Sequence, residues 1–110
     1  MRRKKKVYIR EKSFIAHLAA KKMKVNAVAI VFGHTIYLHN TAISSFLNDT
    51  HWLLHELKHV EQYERLGLMK FIFCYLKESI QKGYYDNKLE TEARAAEKDF
   101  ELLKNYELIY

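Results

Sequence analysis

Asn48-Asp-Thr-His-Trp-Leu-Leu-His-Glu-Leu-Lys-His-Val-Glu-Gln-Tyr-Glu-Arg-Leu-Gly67 is the stretch on which the fold turns. Its side chains Trp52, Leu53, Leu57, Val60 and Tyr63 recur every three to four residues, the period of one helix face. Asn48, Asp49 and Thr50 offer side-chain oxygens for the free N–H groups of a first turn, and Gly67 is placed to end the run. An amphipathic helix is therefore expected here, with His55-Glu56-Leu57-Lys58-His59 in its middle.

Upstream, Ala27-Val-Ala-Ile-Val-Phe32 is β-branched and aromatic, Thr35-Ile-Tyr-Leu-His39 alternates, and Gly33-His34 between them predicts a hairpin. Before it, Phe14, Ile15, Leu18, Ala19 and Met23 mark a helix over residues 11–24. Downstream, a helix over residues 68–82 ends at Gly83, Tyr84-Tyr-Asp-Asn87 forms a loop, and Asp86 or Asn87 caps a last helix through about residue 104. The sum is an α+β protein: an N-terminal helix, a short antiparallel β-ribbon, an active-site helix, a connecting helix and a C-terminal helix. One domain fills residues 1–110, since a chain of 110 residues and 13.2 kDa has material for one core. Residues 1–10 read as a basic tail. Residues 101–110 read as a second tail, too apolar to be free: either it covers the cleft as a self-inhibitory plug or it packs on the body as a helix end.

The formal charge of +6 points at first to an anionic partner. Its distribution corrects that impression. Residues 1–24 hold ten basic groups and one acid, a net of +9, whereas residues 25–110 hold nine basic and twelve acidic groups, a net of −3. The fold itself is mildly acidic, and no specific nucleic-acid binding is expected of it. A lone cysteine, Cys74, excludes an internal disulfide and fits a reducing, cytoplasmic setting. The longest apolar run, residues 66–76, is interrupted by Lys70 and falls short of the roughly 18–20 residues of a membrane span. The basic start resembles the first region of a signal peptide, but Arg10, Glu11 and Lys12 break the apolar segment that should follow.

The chemistry lies in the H-E-x-x-H of residues 55–59. Two imidazoles four residues apart stand on one helix face and can hold one Zn²⁺ at about 2.0–2.1 Å. The Glu between them is angled to take a proton from water at the ion's open position. With six His and ten Glu in the chain, about 0.03 such patterns are expected by chance. A catalytic zinc site needs a third protein ligand. His51 shares the helix face, but three successive turns of one straight helix cannot surround an ion. Cys74 sits in an apolar segment and reads as core filler. A carboxylate of the last helix is the better choice, and Glu90 and Glu92 point about 200° apart, so only one of them can face the ion.

His55-Glu-Leu-Lys-His59 followed by Asn87-x-x-Glu90-x-Glu92-Ala93-Arg94 resembles the gluzincin zinc metallopeptidases, and within them the small soluble minigluzincins. It is similar also to the catalytic cores of membrane-embedded H-E-x-x-H peptidases. The resemblance covers roughly residues 26–100. It implies His55, His59 and Glu90 as ligands of one Zn²⁺ per chain and Glu56 as general base. Glu90 is the implied third ligand because the family's stands three residues before the alanine matched by Ala93, which leaves Glu92 in a supporting place. The resemblance further implies a peptide or protein substrate lying extended along a rim strand, matched by Ile36, Tyr37 and Leu38. His39, Tyr84 and Tyr85 are candidates by residue type for the donor to an oxyanion. One position departs from the pattern: thermolysin-like enzymes and the membrane relatives often place Asp four residues after the ligand Glu to orient a histidine, and here Arg94 stands there. The alternative to hydrolysis is a zinc-binding scaffold that docks on nucleic acid or acidic membrane through its basic N-terminus.

Overall fold

Residues 4–24 and 26–110 are described by the computed structural model. Among them the order is β1 (Lys5–Arg10), α1 (Phe14–Met23), β2 (Val28–Phe32), β3 (Thr35–His39), α2 (Ile43–Asn48), α3 (Thr50–Leu66), α4 (Leu68–Asp86) and α5 (Lys88–Ala95). Two 3-10 turns, Ala96–Lys98 and Phe100–Asn105, then lead into β4 (Tyr106–Ile109). The class is α+β, as the sequence pattern implies.

The sheet runs in the order β2-β3-β1-β4. The hairpin pairs antiparallel, Val28 opposite His39 and Phe32 opposite Thr35, while β1 lies parallel to both β3 and β4. Alternation along each strand divides the side chains between two layers. Val7, Ile9, Ile36 and Leu38 point to one face, where they meet Leu53, Leu54, Leu57 and Val60 of α3 in the main core. Val28 points to the other face, against Ala16 and Ala20 of α1. Small side chains let α1 sit close to the strands. A third cluster, Tyr63, Phe71 and Leu89, ties the end of α3 to α4 and α5. Full burial of a Leu or Ile side chain contributes about 1.5–3 kcal/mol, so α3 is held chiefly by its apolar face.

Both ends of the chain depart from the tail reading. Residues 1–3 of the basic stretch lie outside the described residues. Lys5–Arg10, however, form an inner strand, because Val7 and Ile9 alternate inward and are 0% and 1% exposed while the charged neighbours face out. The C-terminal residues do not cover the cleft: Leu102 and Tyr106 enter the main core, and β4 pairs with β1 on the side of the sheet away from β2. The last α-helix stops at Ala95, short of the expected residue 104, where the backbone tightens into 3-10 turns. The short helix α2 has no counterpart in the sequence reading.

The caps that were legible are in place. Asp49 accepts from the Trp52 N–H at the start of α3, and Asn87 accepts from the Leu89 N–H at the start of α5. Gly83 has φ +82° and ψ 171°, a conformation costly for a residue with a Cβ, and it breaks α4 so that Tyr84 and Tyr85 leave the helix axis.

Candidate metal centre

His55 and His59 stand one turn apart on α3, and Glu90 comes from the first turn of α5. What brings α5 there is Asn87, which is wholly buried. Its side-chain amide donates to the Tyr75 carbonyl and the Ser79 hydroxyl of α4 while its oxygen caps α5. The helix that carries Glu90 is thus pinned at its first residue.

The Glu90 Oε1 lies 2.9 Å from His55 Nε2 and 3.2 Å from His59 Nε2. The three ligand atoms lie within 4.8 Å of one another. A tetrahedral ion with ligands at about 2.0–2.1 Å separates its ligand atoms by about 3.3 Å, so these contacts match the edges of such a site. The opposite ring nitrogens are also engaged. His55 Nδ1–H donates to Glu97 Oε2 at 2.8 Å, and His59 Nδ1–H donates to Gln62 Oε1 at 2.8 Å. Gln62 is fixed as the acceptor there because its amide donates to the Leu89 carbonyl and to Glu92 Oε1. With Nδ1–H held by these acceptors, each Nε2–H points at Glu90 Oε1, and an ion that displaces those two protons meets two Nε2 lone pairs, the arrangement that orients histidine ligands. Tyr75 donates to the second oxygen of Glu90 at 2.5 Å, leaving Oε1 for the centre.

The electrostatics follow from this geometry. Burial disfavours a charged imidazole at His55, yet its hydrogen bond to Glu90, the nearby Glu56 carboxylate and its hydrogen bond to Glu97 outweigh it and raise the group to about 9. His59 is likewise raised against burial, by its hydrogen bond to Glu90, the Glu56 carboxylate and its hydrogen bond to Gln62. Glu90 is opposed by burial but held well below the carboxylate range by its two histidine partners and Tyr75. Glu56 is 6% exposed, and burial pushes it up to about 7 against the pull of His59 and His55. The centre therefore combines two imidazoles, one firmly ionised carboxylate, and a second carboxylate near neutrality that is not among the three converging groups.

A cleft of about 900 Å³ runs past these residues, walled by Val28–Val31 of β2, by Ala19 and Met23 of α1, and by Phe71, Tyr75 and Leu76 of α4. A smaller hollow of about 370 Å³ lies on the other side of His55 and Glu56, lined by His51, Trp52 and Glu97. Tyr84 borders both.

No family model matches the chain, and no curated protein or solved structure matches it either. The centre must be read from its own geometry.

Three residues from the sequence reading converge, His55, His59 and Glu90, and Glu56 lines the cleft beside them. Tyr84 is beside them, and burial together with Glu90 and Glu56 raises its hydroxyl to about 12, so it stays a donor at neutral pH. Tyr85 is not beside them, because it stacks on Arg94, whose guanidinium carbon is 3.9 Å from the ring centre. His39 is not there either: its Nε2 pairs with Nδ1 of His17 on α1 at 3.4 Å. Ile36, Tyr37 and Leu38 cannot form a rim, since β3 is paired on both sides and Ile36 and Leu38 are fully buried. The strand beside the cleft is β2. Glu92 takes the supporting place expected of it, holding Gln62 and Arg65.

Glu97, Gln62 and Tyr75 were missed by sequence reasoning. Glu97 stands seven residues after Glu90, two helical turns on the same face, and Gln62 three residues after His59, so both carried a readable periodicity signal. Tyr75 carried none, since it reaches Glu90 from another helix. Glu97 also answers the departure at Arg94: the histidine-orienting carboxylate comes one turn later, and Arg94 is free to grip the Tyr85 carbonyl and ring.

Proposed function

We propose that the chain is a zinc-dependent peptide hydrolase of the gluzincin type. The observation that carries the reading is the convergence of His55 Nε2, His59 Nε2 and Glu90 Oε1, with both Nδ1 positions held by oxygen acceptors and Glu56 left beside the centre. Two imidazoles, neutral once an ion has displaced their Nε2 protons, and one carboxylate suit Zn²⁺ and leave an open position. Zinc supplies Lewis acidity toward a water and a carbonyl oxygen when bound there.

The chain's own residues do the rest. Glu56 takes the proton from the attacking water and passes it to the leaving amine, work suited to a carboxylate near neutrality. Tyr84 donates its hydroxyl proton toward the oxygen on which negative charge develops. The free edge of β2 beside the cleft accepts an extended peptide as an added strand, and the apolar cleft wall takes its larger side chains.

The test is zinc stoichiometry and peptide cleavage measured together. Wild type should bind one Zn²⁺ and hydrolyse unstructured peptides. Glu56→Gln should keep the zinc and lose about 10²–10⁴ in rate. Zinc bound at unit stoichiometry without hydrolysis would leave a metal-binding scaffold and remove the peptidase reading.

A further inference from the structure

The two helices that wall the cleft also carry apolar side chains on their outward faces. On α4, Met69, Phe73, Leu76 and Ile80 recur every three or four residues and are 78%, 68%, 57% and 85% exposed. On α1, Phe14, Ile15 and Leu18 are 71%, 56% and 51% exposed. Neither set is needed for the core, which α4 reaches through Phe71 and α1 through Ala16 and Ala20. The α4 stripe lies about a third of a turn from the side that faces the cleft, and Leu76 belongs to both. On α1, Lys22 lines the cleft and neighbours Leu18 and Ile15 on the helix surface. The apolar rows thus border the cleft from both sides. Single exposed apolar residues are ordinary, but rows of them on two elements that flank one cleft mark a contact surface.

Charge selects what makes that contact. Helix α1 has no acidic residue, and its last turn carries Lys21 and Lys22. Lys70 and Lys77 flank the α4 stripe on its far side. Among the described residues no carboxylate pairs with these four lysines, whereas Glu78 is occupied by Lys82 and the Lys88 N–H. Apolar rows edged by unpaired lysines are the pattern of helices that lie in a bilayer interface over acidic headgroups.

We propose that the α1–α4 face docks on the surface of an anionic lipid bilayer, with the mouth of the cleft turned toward the headgroups. No helix among the described residues is long and apolar enough to cross a membrane, so the contact is with the surface. A second copy facing this one would set lysines against lysines, and nucleic acid offers nothing to cover Met69, Phe73 and Ile80. Docking stands apart from the hydrolase reading. Where both hold, the substrates are extended segments close to a membrane surface.

The test is co-sedimentation of the full chain with vesicles of phosphatidylcholine, alone or with about 30% phosphatidylserine. Binding should be at least about tenfold tighter to the acidic vesicles and should weaken as salt is added. Phe73→Glu/Ile80→Glu should lower it at least about tenfold while zinc affinity and thermal midpoint stay unchanged, because both side chains are exposed. Lys70→Glu/Lys77→Glu should weaken binding to the acidic vesicles, and Arg2→Ser/Arg3→Ser should leave most of it. The proposal is overturned by equal binding to both vesicle types, by binding that survives Phe73→Glu/Ile80→Glu, or by binding that depends on Arg2 and Arg3 alone. A micromolar dimer in sedimentation velocity, dissolved by Phe73→Glu/Ile80→Glu, would assign the face to a second copy instead. Tighter binding to a single-stranded oligonucleotide than to vesicles would overturn it as well.

Discussion

Helix α3 carries two histidine-and-carboxylate clusters along its length, and the two differ in what surrounds them. Near its middle, His55 and His59 meet Glu90. At its far end, Glu64 accepts from His34 at 3.0 Å, from Lys5 at 3.0 Å and from Tyr106 at 2.7 Å, joining the hairpin, β1 and β4 to the helix. In the second cluster every oxygen has a donor from a different strand, and Lys5 neutralises the charge. It is an ion-pair network that fixes tertiary structure. In the first, one carboxylate oxygen faces two imidazoles whose other nitrogens are already engaged, and no lysine or arginine is among its partners. Residue composition alone does not separate the two; the direction in which lone pairs point does.

The largest effect should separate the clusters outright. His55→Ala, His59→Ala or Glu90→Ala should lower zinc affinity by more than about 100-fold, since loss of outer partners alone costs about 10–100-fold. Glu64→Gln should leave zinc affinity unchanged in the same competition assay with a chromophoric chelator. Equal losses at Glu64 and Glu90 would erase the distinction.

Next in size, Glu97→Ala and Gln62→Ala should each weaken zinc by about 10–100-fold by freeing the imidazoles they hold. Arg94→Ala should not, because its contacts are with Tyr85. A zinc loss confined to Arg94→Ala would show that the orienting group had been misassigned.

A pH series sharpens the same contrast. Metal must displace the proton from His55, which is raised to about 9, so zinc affinity should rise by up to about tenfold per pH unit between pH 7 and 9. Calorimetry in two buffers of different ionisation enthalpy should register the released proton. For the zinc-stripped protein the sign is opposite. A histidine raised above its usual 6.5 stabilises the fold fully below pH 6.5, and the contribution is lost as pH rises through about 9. Thermal midpoints that stay flat from pH 6.5 to 9.5 would contradict this.

The smallest effect belongs to the far cluster. Glu64 is opposed by burial but lowered by its bonds to His34, Tyr106 and Lys5. It therefore stabilises above about pH 4.5, and the contribution is lost as pH falls through its lowered value. Glu64→Gln should cost about 1 kcal/mol in urea unfolding at pH 7, since Lys5 is largely exposed and water screens that pair.

Much of this was written locally. The hairpin, the capped helix α3, the Asn87 cap and the four-residue histidine spacing all rest on interactions within a few positions of the chain, and periodicity exposes them. The conversion of residues 5–10 and 106–109 from expected tails to strands was not legible. Val7 and Ile9 are only two apolar positions among charges, and their pairing partners lie about 25 to 100 residues away. The same holds for the rim of the cleft, because which strand of a hairpin is the open edge depends on where a third strand joins.

The sequence by itself determined an α+β chain with two imidazoles on one helix face and a carboxylate between them, since helical geometry follows from spacing alone. It narrowed the third converging group to Glu90 or Glu92. Only the tertiary structure decided that Glu90 meets both imidazoles, that Glu97 and Gln62 hold their far nitrogens, that β2 borders the cleft, and that the chain's end lies in the sheet. Those are contacts between segments far apart in the chain. They are set by which apolar faces bury one another, and no local pattern encodes that choice.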